Sequence, residues 1–172
     1  NDLSNITATG TLNVNTVTDN TPANITLAVL PLVKLTGTLT IKGTGATMTG
    51  AVADTYGAKL SIDNAKTLAV TDYDGNTVSD LSGSGLLVVT AGNDASIDTT
   101  KLPESKVSTL AIAGTGTSTM TAADAATYGA KLTVNAGKIL TVSGYINNDL
   151  SNITATGTLN VNTVTDGTVA NI

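Results

Sequence analysis

Four oxygen-bearing side chains crowd one ten-residue stretch. In TDYDGNTVSD, Thr71 to Asp80, residues Asp72, Asp74, Asn76 and Asp80 stand close together, the first three at alternate positions. Calcium loops present oxygen ligands at alternate positions, because a hard cation takes about six to eight oxygens, several of them from carboxylates. These four residues are the candidate metal ligands of the chain, and calcium is the ion they would suit. The stretch departs from such a loop in two ways: Gly75 comes before Asn76 instead of after it, and no Glu closes the segment. The matching stretch SGYINND, Ser143 to Asp149, has Gly144 and Ile146 where the first has Asp72 and Asp74. An Asp-Gly-Asn turn between strands explains the same residues without a metal.

Other chemistry is sparse. Asp19, Asp54, Asp98, Asp124 and Asp166 recur singly at turns, where carboxylates more often cap the backbone than pair for acid–base work. The chain has no His and no Cys, so it has no imidazole base, thiolate nucleophile or disulfide. The lysines of the AKL segments follow turns, and serines have no His to activate them. KGTGATMTG and AGTGTSTMT contain G-x-G but not the third glycine of a phosphate-binding loop. No catalytic residue and no organic cofactor is expected, and the chain reads as non-enzymatic. With eight Lys, no Arg, a net charge of −5 and 2% aromatic residues, it lacks the guanidinium forks and stacking faces that nucleic-acid binders use. The most apolar run, ITLAVLPLV at Ile25 to Val33, is far short of the ~18 residues of a membrane helix.

The elements that hold these residues follow from composition and repetition. The chain is 41% apolar yet has no Phe, no Trp and four Tyr, so Val, Leu, Ile and Ala must fill a thin core. Thr and Gly abundance favours strands and tight turns. NDLSNITATGTLNVNTVTD opens the chain at Asn1 to Asp19 and returns unchanged at Asn148 to Asp166. Residues 1–147 therefore read as one repeat unit and 148–172 as the start of the next. The unit is itself double: TYGAKLSIDNAKTLAVTDY from Thr55 aligns with TYGAKLTVNAGKILTVSGY from Thr127, 72 residues on. The halves are about 1–78 and 79–147.

A finer period lies beneath. A turn followed by Leu or Ile recurs at Leu3, Ile25, Leu60, Leu81, Leu102, Leu132, Leu150 and Ile172, with gaps of 22, 35, 21, 21, 30, 18 and 22. Most gaps read as one rung of about twenty residues; the two long ones hold Met48 and Met120 and read as rungs with insertions. Between the marks run alternating segments such as TLTI at Thr38, TLAV at Thr67, TLAI at Thr109 and ILTV at Ile139, which put Leu and Val on one buried face. Thr49 to Leu60 and Thr121 to Leu132 are Ala-rich, with Thr at an N-cap and Gly near the end, and read as short helices. The expected fold is all-β: a β-solenoid, parallel β-helix-like, with rungs of about twenty residues and short helical turns. The alternative is a pair of tandem β-sandwich domains, each closing its own core.

VTDNTPANI at Val17 to Ile25 and VTDGTVANI at Val164 to Ile172 resemble the V-T-D-x-x-x-A-N-I/L repeats of very large, adhesin-like bacterial surface and secreted proteins. That resemblance implies an extracellular or cell-surface location. The resulting expectation is a structural segment of a long extracellular repeat filament, surface layer or adhesin stalk, whose partner is itself or further repeats. An adhesin binding module for a glycan or protein is the alternative, with calcium as a possible aid. An ice-binding solenoid, suggested by TATGT and TSTMT, is a further one. Neither end of the sequence shows a capping element, which fits continuation of the array or end-to-end stacking.

Overall fold

The computed structural model describes residues 5–7, 9, 12–14, 23–43 and 45–163, with 12–14, 23 and 34 described by their backbone alone. Among the described residues the strands form three sheets. Sheet I joins β1 (Leu12–Val14), β3 (Leu39–Ile41), β5 (Leu60–Ile62) and β7 (Ser82–Gly83), in that order. Sheet II runs β2 (Ala23–Asn24), β4 (Ala46–Thr49), β6 (Thr67–Tyr73), β8 (Leu86–Ala91), β9 (Val107–Ile112), β11 (Leu132–Val134), β13 (Thr154–Ala155). Sheet III holds β10 (Thr117–Thr121), β12 (Ile139–Tyr145) and β14 (Thr158–Thr163). The pairings within all three sheets are parallel.

Parallel partners share a face, so the register decides what stacks on what. The chain returns to a sheet after 21 residues from Leu39 to Leu60, 22 from Ala46 to Leu68 and 22 from Leu110 to Leu132. Each return brings an aliphatic residue beside an aliphatic residue. Met48, Val70, Val89, Leu110 and Leu132 form one such column through sheet II, and each is at most 1% exposed. Leu39 beside Leu60 and Ile41 beside Ile62 do the same in sheet I, all fully buried. At about 1.5–3 kcal/mol per buried large aliphatic side chain, these columns are the main favourable term. A neighbouring column puts Tyr73 beside Ala91, then Ile112 and Val134, the small Ala91 following the large ring.

The two homologous halves use different sheets. In the first, β3 and β5 lie in sheet I and β4 and β6 in sheet II; in the second, their counterparts β9 and β11 lie in sheet II and β10 and β12 in sheet III. Strands β7 and β8, at the start of the second half, lie in sheets I and II, and their counterparts β13 and β14 in the next unit lie in sheets II and III. The change falls at the β8–β9 pair. Local bonds nonetheless repeat at the 72-residue offset: Ile25 N–H donates to Thr47 C=O at 2.8 Å, and Ile97 N–H to Thr119 C=O at 2.9 Å.

Helix α1 (Gly50–Tyr56) and helix α2 (Ala122–Tyr128) sit between the strands of their halves, each followed by a 3-10 turn. Thr49 and Thr121 cap them, accepting from Val52 N–H at 3.3 Å and Asp124 N–H at 3.1 Å. Capping with Thr satisfies one of the donors a helix start leaves open. The Met-bearing segments contain these helices and do not lengthen the step, since Ala46 still pairs with Leu68. A seven-residue helix spans about 10 Å, no more than three strand residues do; the insertion expected there is corrected accordingly. With 40% strand and 15% helix, the chain is mostly β instead of all-β. The sandwich alternative fails on connectivity: sheet II passes through both halves, and its parallel pairs do not close two separate cores.

Strand β6 shifts register between Val70 and Tyr73, and β12 between Val142 and Tyr145. Asp72 occupies the left-handed region there at φ 49°, and Gly144 matches it at φ 70°. Both residue types tolerate a bulge of this kind. Nothing lies within 4 Å of a Cβ built on Gly144, so backbone strain alone governs substitution. Gly144→Val is expected to destabilise by about 1–2 kcal/mol and Gly144→Asp by clearly less, measured by urea unfolding; equal losses would contradict the assignment.

Candidate functional site

The structure brings two of the four candidate calcium ligands together and engages them with backbone. Asn76 Oδ1 accepts from Asp74 N–H at 3.2 Å, and Asp74 Oδ1 accepts from Ser96 N–H at 3.0 Å. Asp72 is the bulge residue of β6. Asp80 Oδ1 accepts from the neighbouring Ser79 hydroxyl at 3.3 Å. Among the described residues no three Asp, Glu, His or Cys side chains are grouped to share a metal ion.

The bond from Asp74 to Ser96 has counterparts one step further along. Asn93 Oδ1 accepts from Thr115 N–H and Asp94 Oδ1 from Thr117 N–H, both at 2.7 Å. Each reaches 22 or 23 residues along the chain, which is one return of the ladder. Turn side chains thus satisfy backbone donors of the adjacent step at its exposed corner. Gly116 belongs to this arrangement: a Cβ there would fall 1.9 Å from Asp94 Oδ1.

The remaining turn acids cap locally. Asp98 accepts from the Thr100 hydroxyl at 2.6 Å and its N–H at 2.8 Å. Asp149 does the same with Ser151 at 2.6 and 3.0 Å. In both, the hydroxyl bond first and the backbone bond second hold the carboxyl below its ordinary value. Asp124 accepts from Thr99 at 2.6 Å and Thr121 at 2.7 Å, and Asp54 is exposed on α1. Asp19 and Asp166 lie outside the described residues, as do Leu3 and Ile172 of the turn marks.

The TYGAKL segments do more than mark turns. Tyr56 donates its hydroxyl to Leu30 C=O, and Tyr128 donates to Leu102 C=O at 2.7 Å, each 26 residues back. Lys59 Nζ donates to Leu35 C=O at 2.7 Å, and Lys131 Nζ to Glu104 C=O at 3.0 Å and to the Glu104 carboxylate. One motif in each half therefore ties down the turn that precedes its ladder strands. The recurrence of the rare Tyr and of Lys at one offset was the available signal; turn chemistry alone did not expose it.

Burial raises the Tyr56 phenol to about 12, and raises Tyr128 further, helped by the charge of nearby groups. Tyr73 is fully buried and its hydroxyl has no hydrogen-bond partner among the described residues; burial, then the Asp98 charge, pushes its pKa up.

The threonine rows proposed for ice are interrupted. Across sheet III, Thr117 is followed by Ile139 and Thr158, and Thr119 by Thr141 and Asn160. At the far end of that sheet Leu159 and Val161 are partly exposed, whereas their neighbours Leu140 and Val142 are fully buried. A cavity of about 330 Å³ opens there, lined by Tyr145, Leu150, Ser151, Leu159 and Val161 among others. No helix among the described residues is long and apolar enough to cross a membrane. Set against known protein families, characterised proteins and solved structures, the chain matches none.

Two outcomes follow from the tyrosines. Tyr128→Phe leaves the buried Leu102 carbonyl without its donor and is expected to cost about 1–2 kcal/mol, while Tyr73→Phe removes an unpartnered hydroxyl and is expected to be neutral or stabilising by about 1 kcal/mol. Urea midpoints decide between them.

The raised folded pKa values also set a direction with pH. The neutral phenols stabilise the fold fully below the ordinary tyrosine value of 10.0. That stabilisation falls as pH climbs above it, because the unfolded chain then loses protons first. Unfolding midpoints followed with tyrosinate absorbance are expected to drop above that pH.

Proposed function

We propose that this chain is a β-solenoid segment of a long extracellular repeat filament, surface layer or adhesin stalk, with a load-bearing role and no catalytic one. The observation that carries the reading is the run of aliphatic columns through both halves, Met48 to Leu132 above all. In a stack of this kind each step buries its residues against two neighbours, so stability grows with length and no single residue is indispensable. Asp74, Asn93, Asp94 and the TYGAKL ties fasten successive steps in the same additive way. Its partner is self, as further repeats or as other copies, and its place is outside the cell. Composition supports that place: acidic, Cys-free, and rich in Thr, Gly and Asn.

One observation favours protein binding as a second role. Val33 is 85% exposed in the turn before β3, where the other half carries Ser105. Val33 ends the aliphatic run Ile25 to Val33, in which Leu27 is exposed as well, and an exposed apolar patch suits a protein neighbour.

The reading is tested with chains carrying one, two and three 147-residue units. Length by small-angle scattering is expected to grow by about 30 Å per unit, from six to seven strand spacings of about 4.8 Å, and the urea midpoint to rise with unit number. Midpoints independent of unit number, with the dimensions of a flexible string, would contradict it. Immunogold labelling of thin sections of source cells tests location: rows of label on surface fibres are expected, and label confined to the cytosol would overturn the extracellular assignment.

A further inference from the structure

One sequence occurs twice in this chain in two different settings. TLNV at Thr11 to Val14 contributes β1, and the same four residues at Thr158 to Val161 open β14. Strand β1 pairs with β3, the strand that follows it in sheet I, and β14 pairs with β12, the strand that precedes it in sheet III. Among the described residues neither has a second neighbour. The identical segment therefore has an upstream partner in one place and a downstream partner in the other.

A second precedent lies inside the chain. Strand β8 corresponds to β14 at the 72-residue offset, Leu87 to Leu159 and Val89 to Val161. Strand β8 is not an end: it is followed in sheet II by β9, whose TLAI matches the TLTI that contains β3. Both copies of this strand that have a downstream neighbour thus receive a strand of the β3 type.

We infer that the free edge of β14 is the docking surface for the β3 segment of a second copy of this repeat unit, in the register Leu159 to Leu39, Asn160 to Thr40 and Val161 to Ile41. The inference rests on the stacked reading of the fold given above. The register is that of β1 on β3, where Leu12 meets Leu39 and Val14 meets Ile41, because β1 is the identical sequence; β8 on β9 is set two residues further along, with Val89 opposite Leu110. Leu39 and Ile41 are fully buried where they stand. Laid along β14 they cover Leu159 and Val161, the partly exposed residues at the cavity, and close the apolar end. The joint also fixes how units follow one another. Strands of the β3 type run in sheet I in the first half and in sheet II in the second; docking on β14 moves them to sheet III in the next. Each half-unit thus passes the role one sheet onward.

The experiment uses the full chain and cysteine pairs read by oxidative cross-linking. Opposed residues on neighbouring strands have Cα atoms within the disulfide range of about 4.4–6.8 Å. The control pair, Asn13→Cys with Thr40→Cys, is expected to close within one chain, from the β1–β3 register. The test pair, Asn160→Cys with Thr40→Cys, is placed in a chain that also carries Leu12→Asp and Val14→Asp, which take β1 off β3. This variant is expected to cross-link between chains and at least to double in weight-average mass by sedimentation, through mass action. Adding Leu159→Asp and Val161→Asp is expected to return it to a monomer.

If the control closes and the test pair stays monomeric, or if the variant with all four aspartates associates as strongly, the joint is overturned while the stacked fold stands. If the control itself does not close, the stacked fold fails and the joint fails with it. Should the aspartates prevent folding, the test pair in the otherwise unaltered chain reads strand exchange directly. Because β1 and β14 share one sequence, concentrated protein is then expected to accumulate the interchain bond over time, and its absence beside a closed control overturns the joint.

Discussion

Parallel register is the constraint from which the rest of the molecule follows. Each return of the chain, 19 residues from Leu68 to Leu87 and 22 from Leu110 to Leu132, must lay an inward residue on an inward residue. A slip of one would turn every Leu and Val outward. The columns leave a core only as deep as two facing aliphatic side chains, which Val, Leu and Ile fill. Phe and Trp are absent from the chain, and where a ring does enter, Tyr73 stands beside the small Ala91. Ser118, 3% exposed, takes an inward place beside Leu140; it corresponds to Ala46 in the first half, so both halves keep that position small.

Stacking alone does not hold the corners, and there the polar residues act. Asp74, Asn93 and Asp94 each accept a backbone N–H from the next step. Tyr56, Tyr128, Lys59 and Lys131 each donate to a carbonyl of the preceding turn. The two tyrosine bonds are buried and prevent the larger penalty of an unpaired buried carbonyl, whereas the three turn bonds are exposed and contribute modestly. Of the residues that first suggest a cation site, Asp74 accepts from the backbone of the next step, Asn76 accepts within its own turn and Asp80 accepts from the Ser79 hydroxyl.

Much of this was legible in the residues because it is local. The alternation in TLTI, TLAV, TLAI and ILTV places Leu39 and Ile41, Leu68 and Val70, Leu110 and Ile112, and Leu140 and Val142 inward, and all are buried. Thr49 and Thr121 announce the two helices, which begin at Gly50 and Ala122. What escaped is what depends on partners some twenty residues away. The change of sheet at β8–β9 has no marker in either strand. The hydroxyls of Tyr56 and Tyr128 meet carbonyls 26 residues back, and no local propensity encodes such a reach. The marks at Ile25 and Leu60 looked equivalent and are not, since Ile25 bonds beside β4 while Leu60 lies within β5. Asp72 looked like a ligand because its left-handed backbone, shared with Gly144, cannot be seen from composition.

The central claim is that successive returns of this chain stack as parallel strands along one axis through both halves of the repeat. Cryo-electron microscopy of native multi-unit material, with its axial periodicity extracted, tests this most directly. The account requires a continuous rod with a repeat of about 4.8 Å along its length and no break between halves. Separate beads joined by thin connectors, without that axial repeat, would contradict it.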